Sequence, residues 1–206
     1  MKNLVLVVFF LSTISISAQD QYTKGMQKAF GFWQEGNLAE AANMFERISN
    51  AEMDNWLPYY YVSSINTILS FGEKDKEKLT QQLTKAQEFL DVAKGISPNN
   101  PEILVQQAMI HTAWIAFDGA TYGMSLSGKV AALYQKALEL APDNPRVVFS
   151  KAEWDMGSAK YFGQDTSPYC KDVERSLELF ATFKAASDFH PNWGEDRAKE
   201  IAENCN

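Results

Sequence analysis

The chain has 206 residues, of which 46% are hydrophobic, and it contains 13 Phe, 8 Tyr and 5 Trp. This length and composition favour a single globular domain whose core is built partly from aromatic side chains. The formal net charge is -7 and the sequence has no basic run of the kind that follows a phosphate backbone, which disfavours nucleic acids and anionic membranes as partners.

The first eighteen residues have the pattern of a secretory signal peptide. Lys2 precedes an unbroken apolar stretch from Leu4 to Leu11, and a run of mainly small residues continues to Ala18. The apolar stretch is too short to span a bilayer and matches the hydrophobic region of a signal peptide. We expect cleavage after Ala18, or after Ser17, and a product that is periplasmic or secreted. The alternative is a buried hydrophobic N-terminal helix.

Residues 19–206 are expected to form one domain, with no membrane-spanning segment and no lipid anchor. Cys170 and Cys205 are the only cysteines, and in an oxidising compartment they can form one disulfide. If the turn before the last helix lies near Pro191, a regular antiparallel pair would instead place Cys205 opposite Glu178. Two unpaired thiols are therefore the alternative.

Apolar residues recur at helical spacing along the rest of the chain, and no alternating strand pattern is present. The predicted helices in chain order are 22–33, 38–48, 56–69, 78–95, 101–115, 128–140, 145–161, 171–189 and 193–204. Three connections within helical hairpins are predicted to be long, namely those near 70–77, 117–128 and 157–169. The sequence therefore predicts an all-α protein.

A turn motif recurs between the predicted hairpins. Residues 97–102 (SPNNPE) return as residues 141–146 (APDNPR), and residues 190–195 (HPNWGE) form a weaker third copy. Each copy follows an Ala-rich amphipathic run, and proline suits the first turn of the helix that comes next. A hairpin cannot bury its apolar stripe alone, so the repetition predicts stacked hairpins with one continuous core.

These residues resemble the tetratricopeptide repeat (TPR) family, in which small and aromatic residues alternate through the two helices of each hairpin. The matching positions are Ala29, Phe32, Gly36, Ala41, Phe45, Ala86, Leu90, Ala93, Pro98, Tyr134, Ala137, Pro142, Phe183, Ala186 and Pro191. The spacing of the turn prolines exceeds the family period of about 34 residues. The resemblance implies a TPR-like α-solenoid of about four hairpins, with long loops inside the hairpins and a C-terminal capping helix. The ending also resembles uncharacterised exported repeat proteins of Bacteroidetes.

The concave face of such a stack is one candidate binding surface. The resemblance places seven candidate partner-binding residues on it, namely Met26, Phe30, Trp33, Tyr60, Met109, Arg146 and Glu153. Such faces bind extended peptides or partner helices. The alternative is that a short solenoid closes this face on itself and buries Trp33 and Tyr60.

The second candidate surface is the edge at which the three long connections emerge together. Its candidate residues are Phe117, Tyr122, Tyr161 and Phe162. Repeat proteins carry binding sites on the face where insertions gather, so these aromatics could grip a ligand or a partner. Alternatively, they pin the long connections to the stack.

No catalytic or metal-binding constellation is recognisable in the sequence. His111 and His190 are the only histidines, whereas a metal site needs more ligands at helical spacing. We therefore expect a non-enzymatic, monomeric, exported TPR-like adaptor without a cofactor, which binds a protein or peptide. The alternative is a periplasmic protein that binds a small molecule or a glycan, or a minor enzyme, and uses the aromatic edge.

Overall fold

A computed structural model describes residues 20–205, which contain α-helices and one short 3-10 helix but no strand. The predicted signal peptide and its two cleavage sites lie outside these residues. The first helix, α1, occupies residues 20–34 of the described part. The others are α2 Leu38–Ala51, α3 Trp56–Ser70, α4 Lys76–Ile96, α5 Pro101–Phe117, α6 Gly119–Leu140, α7 Pro145–Tyr161, α8 Cys170–Thr182 and α9 Glu195–Glu203, with the 3-10 helix at Ser167–Tyr169.

Successive helices pack as antiparallel hairpins. The most extensive packing joins α5 with α6 and α3 with α4. Helix α7 also packs against α8, and α9 covers α8. Neighbouring hairpins touch through α2 and α3, α4 and α5, and α6 and α7. This arrangement confirms the predicted all-α, TPR-like solenoid of about four hairpins with a C-terminal capping helix. No helix of the described residues is both long enough and apolar enough to cross a bilayer.

The recurring turn motif acts as a helix start. Asn100 accepts a hydrogen bond from the backbone N–H of Glu102 at 2.9 Å, and Asn144 accepts one from the N–H of Arg146 at 3.0 Å. A proline follows each asparagine at the first helical position. Its missing N–H costs no hydrogen bond there, because an N–H at that position has no acceptor within the helix. Side-chain caps of the same kind begin three further helices, at Asn55, Asp75 and Asp118.

Small residues and aromatics share the core in the way the TPR resemblance implies. Ala29, Ala41 and Ala86 are fully buried, and the ring of Phe45 fills the space beside them. A second cluster around Tyr134 joins the third hairpin to the fourth. The alanines let the helices approach one another, and the aromatic rings fill the gaps that remain.

The expected long connection at residues 117–128 is helical instead. Only Asp118 separates α5 from α6, and its carboxylate accepts hydrogen bonds from the backbone N–H and the hydroxyl of Thr121, at 3.0 and 2.6 Å. A Cβ added at any of the three glycines of this stretch would meet no atom within 4 Å. The glycines therefore lie on an open helix side, and much of the extra length of this repeat is helix.

The helix predicted for 171–189 ends early, at Thr182. Residues 183–194, hereafter the strap, are not helical and run to the start of α9. The ring of Phe183 lies 4.4 Å from the guanidinium carbon of Arg146. Tertiary contacts of this kind outweigh the helical propensity of the alanines within the strap.

Cys170 and Cys205 form a disulfide, with their Cα atoms 5.8 Å apart. The bond was one of the two expected outcomes and is confirmed. The tight turn near Pro191 that argued against it is replaced by the strap. Because the strap is long, α9 lies further along α8 than a tight turn would place it. Cys205 therefore lies beside Cys170, the first residue of α8.

Candidate functional site

The concave face offers little open surface. Of the seven residues expected to bind a partner there, Met26, Tyr60 and Arg146 are fully buried. The other four, Phe30, Trp33, Met109 and Glu153, are partly buried. Part of this burial comes from the strap, which contacts Phe30, Tyr60 and Arg146 through Phe189, Trp193 and Phe183.

Two aromatic side chains anchor the strap. The ring of Phe189 stacks on the ring of Phe30 at 6.0 Å between centroids. The backbone carbonyl of Phe189 accepts a hydrogen bond from the Tyr61 hydroxyl at 2.7 Å. The indole N–H of Trp193 donates to the Tyr60 hydroxyl at 2.8 Å. Burial raises the pKa of both tyrosines, and the nearby charge of Glu102 raises it further. Both phenols therefore remain neutral at physiological pH.

A buried ion pair lies beneath the strap. Nε of Arg146 donates to Oε2 of Glu102 at 2.9 Å and Nη2 donates to Oε1 at 2.6 Å, with the side chains 0% and 1% exposed. Asn144 donates a further hydrogen bond to the same carboxylate at 2.6 Å. His190 Nε2 lies 3.9 Å from Glu102, and desolvation lowers its pKa despite that charge, with Arg146 adding to the lowering.

Sequence reasoning missed the role of Glu102. The signal was present, because Glu102 and Arg146 occupy the same position in two copies of the turn motif and carry opposite charges. Equivalent positions of adjacent repeats are neighbours in a solenoid. Two charged groups at such positions can therefore meet within the stack.

The exposed apolar side chains gather at the opposite end of the first helices. There α3, α5 and α7 end, and α4 and α6 begin. Six of the nine large hydrophobic residues exposed within residues 20–205 lie at this end. We call this region the tip surface, and its residues are Ile68, Leu69, Phe71, Phe117, Met124, Tyr161 and Phe162.

The predicted edge residues lie in this region, but they differ in exposure. Tyr161 and Phe162 are 76% and 71% exposed, and their rings meet edge to face at 5.1 Å. Phe117 and Tyr122 are partly buried, and Tyr122 packs on Trp114 at 5.0 Å. Some edge aromatics therefore pin the structure, while others face solvent.

Four exposed members of the tip surface were not identified from sequence, namely Ile68, Leu69, Phe71 and Met124. Met124 is 99% exposed on the first turns of α6, within a stretch that was expected to be a loop. Phe71 is 43% exposed directly after α3, within the connection predicted near residues 70–77. Hydrophobic pattern alone does not distinguish a buried end of a helix from an exposed one.

A cavity of about 370 Å³ opens at the tip surface between the connection after α3 and the end of α5. Its volume lies within the usual range for small-molecule sites. The carboxylate of Glu73 accepts hydrogen bonds from the N–H groups of Lys74 and Asp75, and these bonds hold the pKa of Glu73 below its usual value. The cavity is lined by Ser70, Phe71, Gly72, Glu73, Lys74, Ala113, Ala116 and Phe117.

Neither of the two histidines is among the residues that line the cavity at the tip surface. His111 is half-buried on α5, where desolvation lowers its pKa and the charge of Lys129 lowers it further. His190 belongs to the strap. Within residues 20–205, no group of three or more His, Cys, Asp or Glu side chains is arranged to hold a metal ion.

Comparison with known proteins supports the fold. No protein-family model and no curated protein matches the sequence. The HusA haemophore from Porphyromonas gingivalis is similar in structure, with a TM-score of 0.79 and 22% identity over 90% of this chain and 92% of that one. A thermophilic TPR protein from Thermus thermophilus is also similar, with a TM-score of 0.58 and 15% identity over 88% and 79%. At these identities the likeness shows a shared TPR-like fold.

Proposed function

We propose that this protein is an extracytoplasmic binding protein that holds a flat hydrophobic molecule of the porphyrin class, such as haem, on the tip surface. The observation that carries the proposal is the concentration of exposed apolar side chains at this one edge. Apolar patches of this kind on a soluble domain mark binding sites. The likeness to a haemophore over nine-tenths of both chains supports the choice of ligand.

The residues of the tip surface suit such a ligand chemically. The exposed rings of Tyr161 and Phe162 offer apolar faces against which a planar macrocycle can stack. Haem supplies an iron that accepts phenolate or thioether ligands in other proteins, and Tyr161 and Met124 carry these groups at the tip surface. The cavity beside Phe71 adds a second apolar feature to the tip surface.

Export is part of the proposal. The Cys170–Cys205 disulfide is stable in an oxidising compartment, and such bonds are rare in the cytosol. The predicted signal peptide leads to the same location. A protein outside the cytoplasm would meet its ligand in solution rather than receive it inside the cell.

The test is a titration of the purified protein with haem, followed by absorbance. The variant Met124→Ser and the double variant Tyr161→Ser/Phe162→Ser are each expected to weaken binding about tenfold, which corresponds to about 1.4 kcal/mol. Met53→Ser is the matched control, because Met53 is 69% exposed but lies in the connection between α2 and α3. The absence of saturable binding to the wild type, or equal losses in the control, would refute the proposal.

A protein partner on the same surface is the second candidate function. The structural likeness to a TPR protein and the exposed apolar edge both favour it. In that case, one protein should be captured from the periplasmic fraction in stoichiometric amount. The capture should be lost in Tyr161→Ser/Phe162→Ser and retained in Met53→Ser, while haem should fail to bind.

A further inference from the structure

A second cavity, of about 330 Å³, opens between α6 and α7, where the third hairpin meets the fourth. We call it the α6–α7 cavity. Its volume lies at the lower end of the usual range for small-molecule sites, so it suits a ligand with a single small ring rather than a porphyrin. None of its lining residues belongs to the tip surface or to the strap.

Tyr134 brings an unused hydroxyl group to this cavity. The residue is only 4% exposed, because its ring packs into the cluster that joins the two hairpins. Burial raises the pKa of Tyr134, and the charges of Glu153 and Asp155 raise it further, so the hydroxyl stays protonated and can donate. Among residues 20–205 this hydroxyl has no hydrogen-bond partner. A polar group so nearly withdrawn from water gains free energy when a ligand supplies a partner.

The polar side chains beside Tyr134 offer both donors and acceptors. Nζ of Lys151 donates to Oδ2 of Asp155 at 2.5 Å, and the two side chains are 29% and 23% exposed. Lys151 keeps further N–H donors, Asp155 keeps a second acceptor oxygen, and the amide of Gln135 faces them from α6. The opposite charges cancel, so the cavity favours a neutral ligand with groups that both donate and accept, as hydroxyl groups do.

Trp154 supplies an apolar ring in the same cavity. It is partly buried against the cluster that contains Tyr134. The face of an aromatic ring carries partial negative charge and attracts the positive edge of C–H groups. Across from it, Ala131 and Ala132 are exposed on α6, and their small side chains leave that side open. A ring with C–H groups on one face and hydroxyl groups along its edge matches both parts of this lining.

We propose that the α6–α7 cavity binds a neutral pyranose sugar, either as a free hexose or as the terminal residue of a glycan. The C–H face of the sugar stacks on the indole of Trp154, and the Tyr134 hydroxyl donates to one of its oxygens. The Lys151–Asp155 pair contacts adjacent sugar hydroxyls without separating. This site is independent of the tip surface, and the proposal holds whether or not haem binds there.

The test is an NMR titration of the full, isotope-labelled chain with glucose, galactose and mannose, and with disaccharides that end in each of them. The chain has five Trp, and the indole N–H resonance of Trp154 is assigned by its loss in Trp154→Phe. At least one sugar should shift this resonance saturably, with a dissociation constant of about 1 mM, as expected for a small ligand with few contacts. Binding of a free hexose identifies the free sugar as sufficient, and binding of a disaccharide alone identifies the end of a glycan.

Two variants test the lining without removing core side chains. Tyr134→Phe deletes only the hydroxyl, and Ala131→Leu adds a larger side chain at the exposed rim. Each should weaken sugar binding at least about fivefold. Tyr161→Phe is the matched control, because it deletes an exposed hydroxyl at the tip surface, and it should bind the sugar as the wild type does. Sorbitol is the control ligand and should cause no saturable shift, since it has the hydroxyl groups of a hexose but no ring to stack.

Two outcomes would overturn the proposal. One is that no sugar shifts the Trp154 resonance saturably, including the case in which a zwitterionic amino acid such as free phenylalanine does so instead. The other is that Tyr134→Phe or Ala131→Leu binds the sugar as tightly as the wild type. Haem titration of the same samples reports the tip surface separately, so failure of one site is distinguishable from failure of the other.

Discussion

Gly194 connects the strap to α9 through a backbone conformation that other residues adopt rarely. Its φ angle is 106°, and a Cβ at this position would lie 3.2 Å from Cζ of Phe180. Gly194→Ala combines backbone strain with a steric clash, so we expect it to lower the free energy of unfolding by about 1–3 kcal/mol. Urea denaturation measures this change.

Gly157→Ala is the matched control for that substitution. Gly157 lies inside α7, and a Cβ there would meet no atom within 4 Å. Alanine is the better helix former, so we expect stabilisation by about 0.5–1 kcal/mol. Equal destabilisation by the two substitutions would contradict the role given to the φ angle of Gly194.

The buried pair Glu102–Arg146 is expected to matter more when one partner is removed than when both are. Arg146→Met leaves the Glu102 carboxylate buried without its cation, and we expect a loss of about 3–5 kcal/mol in the free energy of unfolding. The double variant Glu102→Leu/Arg146→Met removes both charges and should recover most of that loss. Chemical denaturation of the wild type, Arg146→Met, Glu102→Leu and the double variant completes a double-mutant cycle and measures the coupling.

An exposed ion pair gives the control for this cycle. Arg197 and Glu153 are joined at 2.9 Å but remain about half exposed. Arg197→Met should change the free energy of unfolding by less than about 1 kcal/mol. If Arg146→Met were equally mild, the cost expected for leaving the Glu102 carboxylate buried without its cation would be wrong.

Stability should fall as the pH drops from about 7.5 through the ordinary histidine pKa of about 6.5. Desolvation lowers the pKa of His190 below its ordinary value of 6.5, against the opposing charge of Glu102. The unfolded chain therefore binds more protons than the folded chain at pH values below 6.5, and the stability present above that value is lost as the pH falls. His111 shifts in the same direction through its own burial. Urea denaturation should show that His190→Gln/His111→Gln has a smaller pH dependence than the wild type.

Helix α9 depends on the disulfide more than on its own packing. The bond closes a loop with a sequence separation of 35, which corresponds to about 3–4 kcal/mol in the chain-entropy model. Cys170→Ser/Cys205→Ser should lower the free energy of unfolding by about that amount. Hydrogen exchange should show α9 opening first, while α3 keeps its protection. Uniform loss of protection throughout the chain would contradict this local role.

Helix starts were the most predictable part of the fold. The pairs Asn100-Pro101 and Asn144-Pro145 combine a capping side chain with a proline at the first helical position, and both helices begin there. These signals are local, because the capping bonds join residues two or three positions apart. Local signals of this kind can be read without knowledge of the tertiary structure.

Two elements were predicted wrongly because the deciding interactions are not local. The glycines after Asp118 suggested a loop, yet they lie on an exposed side of α6, where glycine costs only about 1 kcal/mol relative to alanine. The alanines of the strap suggested a helix, yet Phe189 contacts residues more than a hundred positions away, including Tyr61. The aromatic edge was predicted in outline. Phe71 and Met124 lie in two of the connections predicted to form it, but neither residue was singled out from sequence.

At the scale of the whole molecule, the strap contacts and the tip surface lie at opposite ends of the same helices. The strap contacts the beginning of α3, α5 and α7, at Tyr61, Glu102 and Arg146. The tip surface lies at the end of those helices, for example at Phe117. With a rise of 1.5 Å per residue, Glu102 and Phe117 are about 22 Å apart along α5.

This separation predicts that breaking the Cys170–Cys205 disulfide leaves haem binding at the tip surface unchanged. Coupling between two distant regions requires an element with two arrangements that both regions bias. Opening the strap frees α9 but leaves the ends of α3, α5 and α7 packed in their hairpins. Haem should therefore bind the oxidised and the reduced protein with affinities within about twofold. A shift of more than about fivefold between the two titrations would show that the stack transmits strain along its helices.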